Sequence, residues 1–215
     1  MGTRVPNAYV RGDRLYTVNL ARGAAYGERI VRADGREYRE WSPERSKLAE
    51  YLLRSGPFPA EDSSRVLYLG AGSGTTVSHV SDIVARGTVF AVELAPIPFF
   101  RLLGVSADRP NVVPLLADAR HPERYRPMVG GRVDAVYQDV SQRDQMEIFR
   151  GNLNAFGAGW GVLMLKARSI SQRPAEEVVS KELRKLEGLA VTPVDVSASH
   201  PEHRAFHVSR QSPAG

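Results

Sequence analysis

Residues 66–84 read VLYLGAGSGTTVSHVSDIV and give the strongest structural signal in the chain. The apolar run Val66–Leu69 predicts a buried strand. Gly70, Gly72 and Gly74 then allow a sharp turn and a close approach of a ligand to the backbone. A helix beginning near Thr75 would add free N–H groups at the same place. The G-x-G-x-G spacing differs from the G-x-G-x-x-G of dinucleotide dehydrogenases, which disfavours that class of enzyme.

Strands and helices alternate from this stretch towards the C-terminus. Four further strands are predicted at 88–94, 112–116, 133–138 and 161–166, with helices near 75–85, 96–107, 142–156 and 174–187. Short apolar strands separated by helices are typical of a parallel sheet covered on both faces. Two last strands, at 190–197 and 205–210, predict an antiparallel hairpin at the sheet edge. The fold class is therefore α/β, with a Rossmann-like, mostly parallel seven-stranded sheet.

The N-terminal part of the chain has a different pattern. Alternating segments at 8–11, 15–19, 29–32 and 37–41 surround Gly12-Asp13 and Asp34-Gly35, which predicts two β-hairpins. Ser42-Pro43-Glu44 then predicts the start of a helix that ends before Gly56-Pro57. We therefore expect a small N-terminal β-rich domain with a linking helix over residues 1–56, and a larger domain over residues 57–215.

Composition excludes several classes of protein. The 215 residues include 29 basic and 24 acidic side chains, a net charge of +5, and no cysteine. Without cysteine, a disulfide scaffold, a thiol nucleophile and a Cys-based zinc site are excluded. No apolar run is long enough for a transmembrane helix, and the first residues lack the apolar segment of a signal peptide, so the expected location is cytoplasmic. Residues 1–60 carry 11 basic and 7 acidic side chains, which favours contact with a polyanion there.

Acidic residues follow three of the predicted parallel strands. Glu93 lies 21 residues after Gly72, where a carboxylate can accept hydrogen bonds from ribose hydroxyls. Asp118 is placed to bind the amino group of an adenine, and Asp139 follows the fourth strand. Each acid could instead stabilise the start of the next helix. The set, without a phosphate-binding Lys/Ser pair, favours a nucleoside with a small tail, and S-adenosylmethionine fits this description better than a dinucleotide.

Asp139 and Lys166 end neighbouring predicted strands, and buried strand ends rarely carry Lys without a partner. The two side chains could form a structural ion pair. Alternatively, the lysine could orient or accept the proton of an attacking hydroxyl. No two histidines have the spacing of metal ligands, so no metal site is predicted, and His79 is expected to pack in the core.

Five segments together resemble the fibrillarin family in its short archaeal form. They recur in order over residues 5–210: Trp41–Leu48 (WSPERSKL), Val66–Val84, Asp118-Ala119-Arg120, Gln138–Gln142 (QDVSQ) and Lys166–Ile170 (KARSI). The resemblance implies a methyltransferase that uses S-adenosylmethionine to modify the 2′-hydroxyl of ribose in box C/D ribonucleoproteins. It also implies a guide RNA, ribosomal RNA targets with transfer RNA as a second class, a Nop-family scaffold protein and a kink-turn-binding ribosomal-type protein, and no membrane.

The resemblance also implies roles for individual residues. The cofactor contacts would come from Gly70, Gly72, Gly74, Thr75, Thr76, Glu93, Leu94, Asp118, Ala119, Asp139, Val140, Ser141 and Gln142. Lys47, Asp139 and Lys166 would form the catalytic cluster. A histidine usually completes this cluster in the family, and the alignment through His203-Arg204-Ala205 assigns its position to Arg204. His200 and His203, in the same loop, are the alternatives.

Three other functions stay open at this point. The methyl acceptor could be a protein glutamine, a small molecule or an RNA without a guide. A binding module could keep the cofactor pocket without chemistry, although intact Lys47, Asp139 and Lys166 argue against it. A nucleotide-dependent dehydrogenase is the third, disfavoured by the glycine spacing.

Overall fold

Two β-sheets organise the chain in a computed structural model that describes residues 5–211. The ends of the two predicted domains, residues 1–4 and 212–215, lie outside the described residues. The first sheet is antiparallel, in the order β1-β2-β4-β3. Its strands are β1 (Ala8–Arg11), β2 (Arg14–Val18), β3 (Ile30–Ala33) and β4 (Arg36–Trp41). Both predicted hairpins are confirmed.

The helix after β4 begins later than the sequence predicts. Pro43–Arg45 form a separate 3₁₀ turn, and α1 spans Lys47–Leu53. The Ser42 hydroxyl donates to the Glu44 carboxylate and caps no helix, whereas Ser46 Oγ accepts a hydrogen bond from the Ala49 N–H. The prediction of one helix opened by Ser42 is therefore wrong, and the true cap makes Lys47 the first residue of α1.

The second sheet has seven strands in the order β10-β11-β9-β8-β5-β6-β7. They are β5 (Arg65–Leu69), β6 (Thr88–Glu93), β7 (Val112–Leu116), β8 (Ala135–Gln138), β9 (Trp160–Lys166), β10 (Leu189–Val194) and β11 (His203–Arg210). The strands from β5 to β9 pair in parallel, and β11 is antiparallel to both β9 and β10. This is the fold class that the sequence predicts, with the hairpin at the edge.

Six helices accompany the second sheet. They are α2 (Thr75–Ile83), α3 (Pro96–Ala107), α4 (Pro122–Val129), α5 (Gln145–Ala155), α6 (Ala167–Ile170) and α7 (Ala175–Leu183), followed by a 3₁₀ turn at Arg184–Leu186. The short α6 was not predicted, because four residues are too few to show a helical period. No helix within residues 5–211 has both the length and the apolar character needed to cross a membrane.

The strand order reverses at β5, since β6 and β7 lie on one side of it and β8 and β9 on the other. Open α/β sheets bind ligands outside the carboxyl ends of the strands at such a point. The residues that follow β5, β6, β7 and β8 therefore converge on one crevice.

A buried polar network joins the first sheet to α2. The Asp82 carboxylate accepts hydrogen bonds from Arg39, Arg109 and Thr17, and all four side chains are almost inaccessible to solvent. His79 is also fully buried and stacks on Trp41, with ring centroids 4.6 Å apart. The expectation that His79 packs in the core is confirmed.

Candidate active site

The turn after β5 lies directly against the end of β8. A side chain at Gly70 would place its Cβ 2.2 Å from the backbone oxygen of Asp139, and Gly70 has a φ of +81°. The N–H groups of Gly70 and Ala71 both donate to the carbonyl of Val92, at 3.0 Å each. Only glycine satisfies both the approach and the backbone angle at position 70. The glycine turn thus forms one wall of the crevice.

Glu93 holds this turn in place from the end of β6. Its Oε2 accepts a hydrogen bond from the Gly72 N–H at 2.7 Å, and its Oε1 accepts one from the Ala95 N–H at 2.8 Å. A carboxylate has about four acceptor positions, so two remain for ribose hydroxyls. Glu93 therefore stabilises the start of α3, which was the alternative role considered for each strand-end acid. It also keeps the capacity to bind a nucleoside.

Asp118 follows β7 and is paired with Arg120. Arg120 Nη2 lies 2.6 Å from Asp118 Oδ2, and the Arg120 N–H also donates to the same carboxylate. Hydrogen bonding from the Arg120 side chain holds the pKa of Asp118 below its usual value. An adenine amino group would therefore meet an ionised Asp118. Ala119 beside it is buried, and Leu94, after Glu93, is about half exposed.

The segment after β8 contains a buried polar atom without a partner. Gln142 Oε1 is inaccessible to solvent and has no hydrogen-bond partner within the described chain. Val140 is buried and Ser141 is exposed. Buried amide oxygens are normally hydrogen-bonded, so an unpaired one at the crevice fits a donor group of a bound molecule. With Glu93 and Asp118, this residue set fits an adenosine-containing cofactor such as S-adenosylmethionine.

Lys47 and Asp139 form an ion pair across the crevice. Lys47 Nζ lies 2.8 Å from Asp139 Oδ2, and both side chains are about four-fifths buried (21 % and 23 % exposed). Ser46, next to Lys47, also contacts α2, since its Oγ is 3.0 Å from Thr76 Oγ1. Helix α1 is thereby fixed to the start of α2, and it places the Lys47 ammonium at the end of β8.

Lys166 ends β9 but pairs with a different carboxylate. Its Nζ lies 3.5 Å from Glu202 Oε2, and no ion pair within 4.0 Å joins it to Asp139 among residues 5–211. The structural ion pair that the sequence left open for Asp139 and Lys166 is therefore not formed, and Asp139 pairs with Lys47 instead. The backbone of Lys166 is held by the Gln145 side chain, whose Oε1 accepts from the Lys166 N–H at 3.0 Å.

For the fourth position of the cluster, which the alignment assigns to Arg204, the strand register favours His203. In the β9–β11 ladder, His203 is opposite Lys166, and Arg204 is opposite Leu165. Because successive residues of a strand point to opposite faces, His203 shares the face of Lys166 and Arg204 does not. Arg204 instead lies 3.3 Å from Glu176 of α7.

The surroundings of His203 agree with this placement. Burial, together with the charges of Lys47, His200 and Lys166, lowers its pKa to about 3. His200 Nε2 lies 2.7 Å from the carbonyl oxygen of Pro43, just before α1. His203 is therefore a neutral imidazole at neutral pH, within electrostatic reach of both lysines.

Sequence reasoning missed Glu202 and Gln145 and placed His203 second. The alternation of β11 was the available signal, since Ala205, on the same face as His203, packs in the core that contains Leu48 and Tyr51 of α1. No comparable signal marks Gln145, which acts through backbone contacts. Within residues 5–211, no three His, Asp or Glu side chains are grouped to hold a metal ion.

Comparison with known proteins gives one family. The fibrillarin family model matches residues 3–210. A Thermoplasma acidophilum protein named fibrillarin-like rRNA/tRNA 2′-O-methyltransferase is 44 % identical over 195 residues, which cover 89 % of this chain and 84 % of that protein. Among solved structures, Aeropyrum pernix fibrillarin with natively bound S-adenosyl-L-methionine has a TM-score of 0.81 and 41 % identity, covering 91 % of this chain and 88 % of that one.

A second solved structure, a fibrillarin/Nop5p complex, has a TM-score of 0.88 and 40 % identity, and covers 95 % of this chain and 98 % of that one. The similarity thus extends over both sheets. The chain belongs to the fibrillarin family.

Proposed function

We propose that this chain transfers the methyl group of S-adenosylmethionine to a ribose 2′-hydroxyl chosen by a guide RNA, as the catalytic subunit of a box C/D ribonucleoprotein. One observation carries the proposal. The Lys47–Asp139 pair and the neighbouring Lys166 and His203 lie at the same crevice as the glycine turn. The named activity of the relatives, rRNA/tRNA 2′-O-methylation, supports the same reaction.

The reaction requires alignment and the removal of one proton. The sulfonium centre supplies a reactive methyl group, so in-line geometry is the main demand on the protein. The new bond joins the ribose oxygen to the methyl carbon, the carbon–sulfur bond breaks, and the hydroxyl proton goes to a base. We assign Lys166, once it has lost its own ammonium proton, as the residue that orients the hydroxyl and accepts this proton.

The other residues support Lys166 and the cofactor. Asp139 holds the Lys47 ammonium, which is left facing the crevice as a contact for the RNA. Gln145 fixes the backbone of Lys166 through two hydrogen bonds. His203 adds no positive charge at neutral pH, because its pKa is low, and its ring can accept a hydrogen bond from the ribose. Glu93, Asp118 and the Gln142 oxygen would hold the adenosine.

The partners follow from the family. One similar structure is a complex with Nop5p, which supports a Nop-family scaffold for this chain. We further propose the guide RNA, the kink-turn-binding ribosomal-type protein and a cytoplasmic location, with ribosomal RNA and transfer RNA as targets. The predicted boundary between the two domains, after residue 56, likewise stays a prediction.

Reconstitution tests the proposal. The chain, a box C/D guide RNA and the scaffold proteins would be assembled with a target RNA, and ribose methylation would be mapped nucleotide by nucleotide. We expect methylation at the guided ribose, and a loss of about 10²–10⁴-fold in single-turnover rate in Lys166→Ala, as for other positioned proton acceptors. Labelled methyl transfer to protein, or to RNA irrespective of the guide, would overturn the proposal.

A further inference from the structure

A hollow beside the glycine turn is lined by arginines that have no acidic partner. It measures about 280 Å³ and lies between the loop 21–26, the start of α2 and α3. Arg22 and Arg101 line it, and both are exposed. Among residues 5–211, no carboxylate oxygen lies within 4.0 Å of either guanidinium. We call this the Arg22–Arg101 hollow.

A third arginine stands at its rim. The Arg45 guanidinium lies 4.7 Å from the ring centroid of Tyr26, and Tyr26 lines the hollow. Arg45 is also exposed and has no ion-pair partner in the described part of the chain. Arg109, also in the lining, is neutralised by Asp82, and Asp108 is the one carboxylate among the lining residues. The hollow therefore carries an excess of uncompensated positive charge.

The hollow borders the cofactor side of the candidate active site. Ser73 of the glycine turn and Thr75, the first residue of α2, form part of its lining. Arg45 lies two residues before Lys47, and Ser46 between them contacts Thr76. A polyanion that brings one of its riboses to Lys166 would therefore have the neighbouring stretch of its backbone close to the hollow.

We propose that the Arg22–Arg101 hollow binds a backbone phosphate of the RNA whose ribose is methylated. This inference rests on the proposed function and adds to it a contact outside the catalytic cluster. Guanidinium groups suit phosphate oxygens because their planar donors bind two oxygens at once. Phosphate contacts fix the position of an RNA without reading its sequence, which agrees with selection by a guide.

The test compares two double variants with the same change in net charge. Arg22→Gln/Arg101→Gln removes the cations of the hollow. Arg36→Gln/Arg132→Gln removes two other exposed arginines, at the start of β4 and in the loop before β8, which also lack a carboxylate within 4.0 Å. In the assembled complex, the target RNA concentration for half-maximal single-turnover methylation is measured from 50 to 200 mM KCl, with calorimetry of S-adenosylmethionine binding alongside.

Each lost phosphate contact should lower the slope of log affinity against log salt by about 0.7–0.9. We expect the hollow variant, which loses one phosphate contact, to lose about 0.8 in slope, so that the wild type loses about threefold more RNA affinity over this salt range than the variant does. The control variant should keep the wild-type slope, and the affinity for S-adenosylmethionine should not change in either.

Equal slopes in the two double variants would overturn the inference. So would a weaker affinity for S-adenosylmethionine, which would make the hollow part of the cofactor site, or a loss of scaffold binding at an unchanged slope, which would make it a protein contact. The proposed function fails separately, if the wild-type complex leaves the guided ribose unmethylated.

Discussion

At the scale of single residues, His203 and Arg204 give the sharpest prediction. His203 faces Lys166, and Arg204 pairs with Glu176 on the other face of the sheet. We expect His203→Ala to lower the single-turnover methylation rate at least about tenfold, because it removes a group beside the proton acceptor. Arg204→Ala should stay within about twofold, since an exposed ion pair contributes little. The measurement is the rate with RNA and S-adenosylmethionine both saturating.

His203→Asn is the control for packing, because it keeps a polar group of similar reach in the strand. A rate in Arg204→Ala as low as that in Lys166→Ala would contradict the geometry and restore the alignment that assigned the position to Arg204.

Glu93 gives a second prediction at this scale. Glu93→Ala removes two candidate ribose acceptors and also frees the Gly72 and Ala95 N–H groups. At about 1 kcal/mol or more for each lost hydrogen bond, the affinity for S-adenosylmethionine should fall about tenfold or beyond. Calorimetry measures this on the chain alone. Glu93→Gln, which keeps one acceptor oxygen, should fall less, and an unchanged affinity in Glu93→Ala would limit Glu93 to stabilising the turn.

The residues that the sequence predicts well are those fixed by strand ends. Glu93 and Asp139 each follow an apolar run that ends clearly, so their place in the crevice follows from the topology. The partner of each side chain does not follow, because several cations reach the same region. Lys47 comes from a separate helix and forms an ion pair with Asp139, whereas Lys166 forms one with Glu202.

At the scale of elements, the start of α1 shows where local signals fail. Both Ser42 and Ser46 precede plausible first turns, and Pro43 and Glu44 favour the earlier start. In the structure, the residues after Ser42 form a 3₁₀ turn, and the helix begins only after Ser46. Ser46 also contacts Thr76 in the first turn of α2, a tertiary contact that no local pattern contains.

The contact between the first sheet and α2 predicts a dependence of stability on pH. Burial holds the pKa of His79 well below its ordinary value of 6.5, and Arg39 and Arg109 act in the same direction. Below about pH 6.5, His79 therefore binds a proton in the unfolded chain but not in the folded chain. The free energy of unfolding should consequently fall as the pH drops below about 6.5, by up to about 1.4 kcal/mol per unit for this residue.

Urea unfolding between pH 7.5 and pH 5.5 measures this dependence. His79→Phe keeps a ring against Trp41 but loses the hydrogen bonds to Thr17 and Tyr26, so it should be less stable than the wild type at pH 7.5. The slope of its free energy of unfolding against pH should be smaller than that of the wild type, by the amount that corresponds to about one proton. The same slope in both proteins would show that His79 does not carry the effect.

At the scale of the whole molecule, the order of strands and helices was predictable and the joining of the two sheets was not. Alternating apolar strands and helices imply a parallel sheet whatever their exact bounds. The network around Asp82 draws on residues up to 90 positions apart, such as Asn19 and Arg109. Nothing in the spacing of these residues predicts that contact. It nonetheless fixes the N-terminal sheet, and through α1 the position of Lys47.

The surface of the whole molecule predicts that the chain depends on its partners for RNA. The net charge is only +5, and in the described part of the chain the exposed large aromatic rings are limited to Tyr9 and Phe100, on separate elements. Such a surface has no platform on which bases stack, so binding should come from phosphate contacts alone. We expect the isolated chain to bind RNA with a Kd of about 10⁻⁴–10⁻⁶ M near physiological salt, and more weakly as salt rises.

Fluorescence anisotropy measures the Kd for a guide–target duplex and for an unrelated duplex, and the two values should be equal. Methylation assays on the same samples should give signal only after the scaffold proteins and guide RNA are added, because the guide alone carries the sequence information. Robust methylation of one defined ribose in naked RNA by the isolated chain would mean that the chain reads RNA itself, through a surface that its charges and aromatic rings do not indicate.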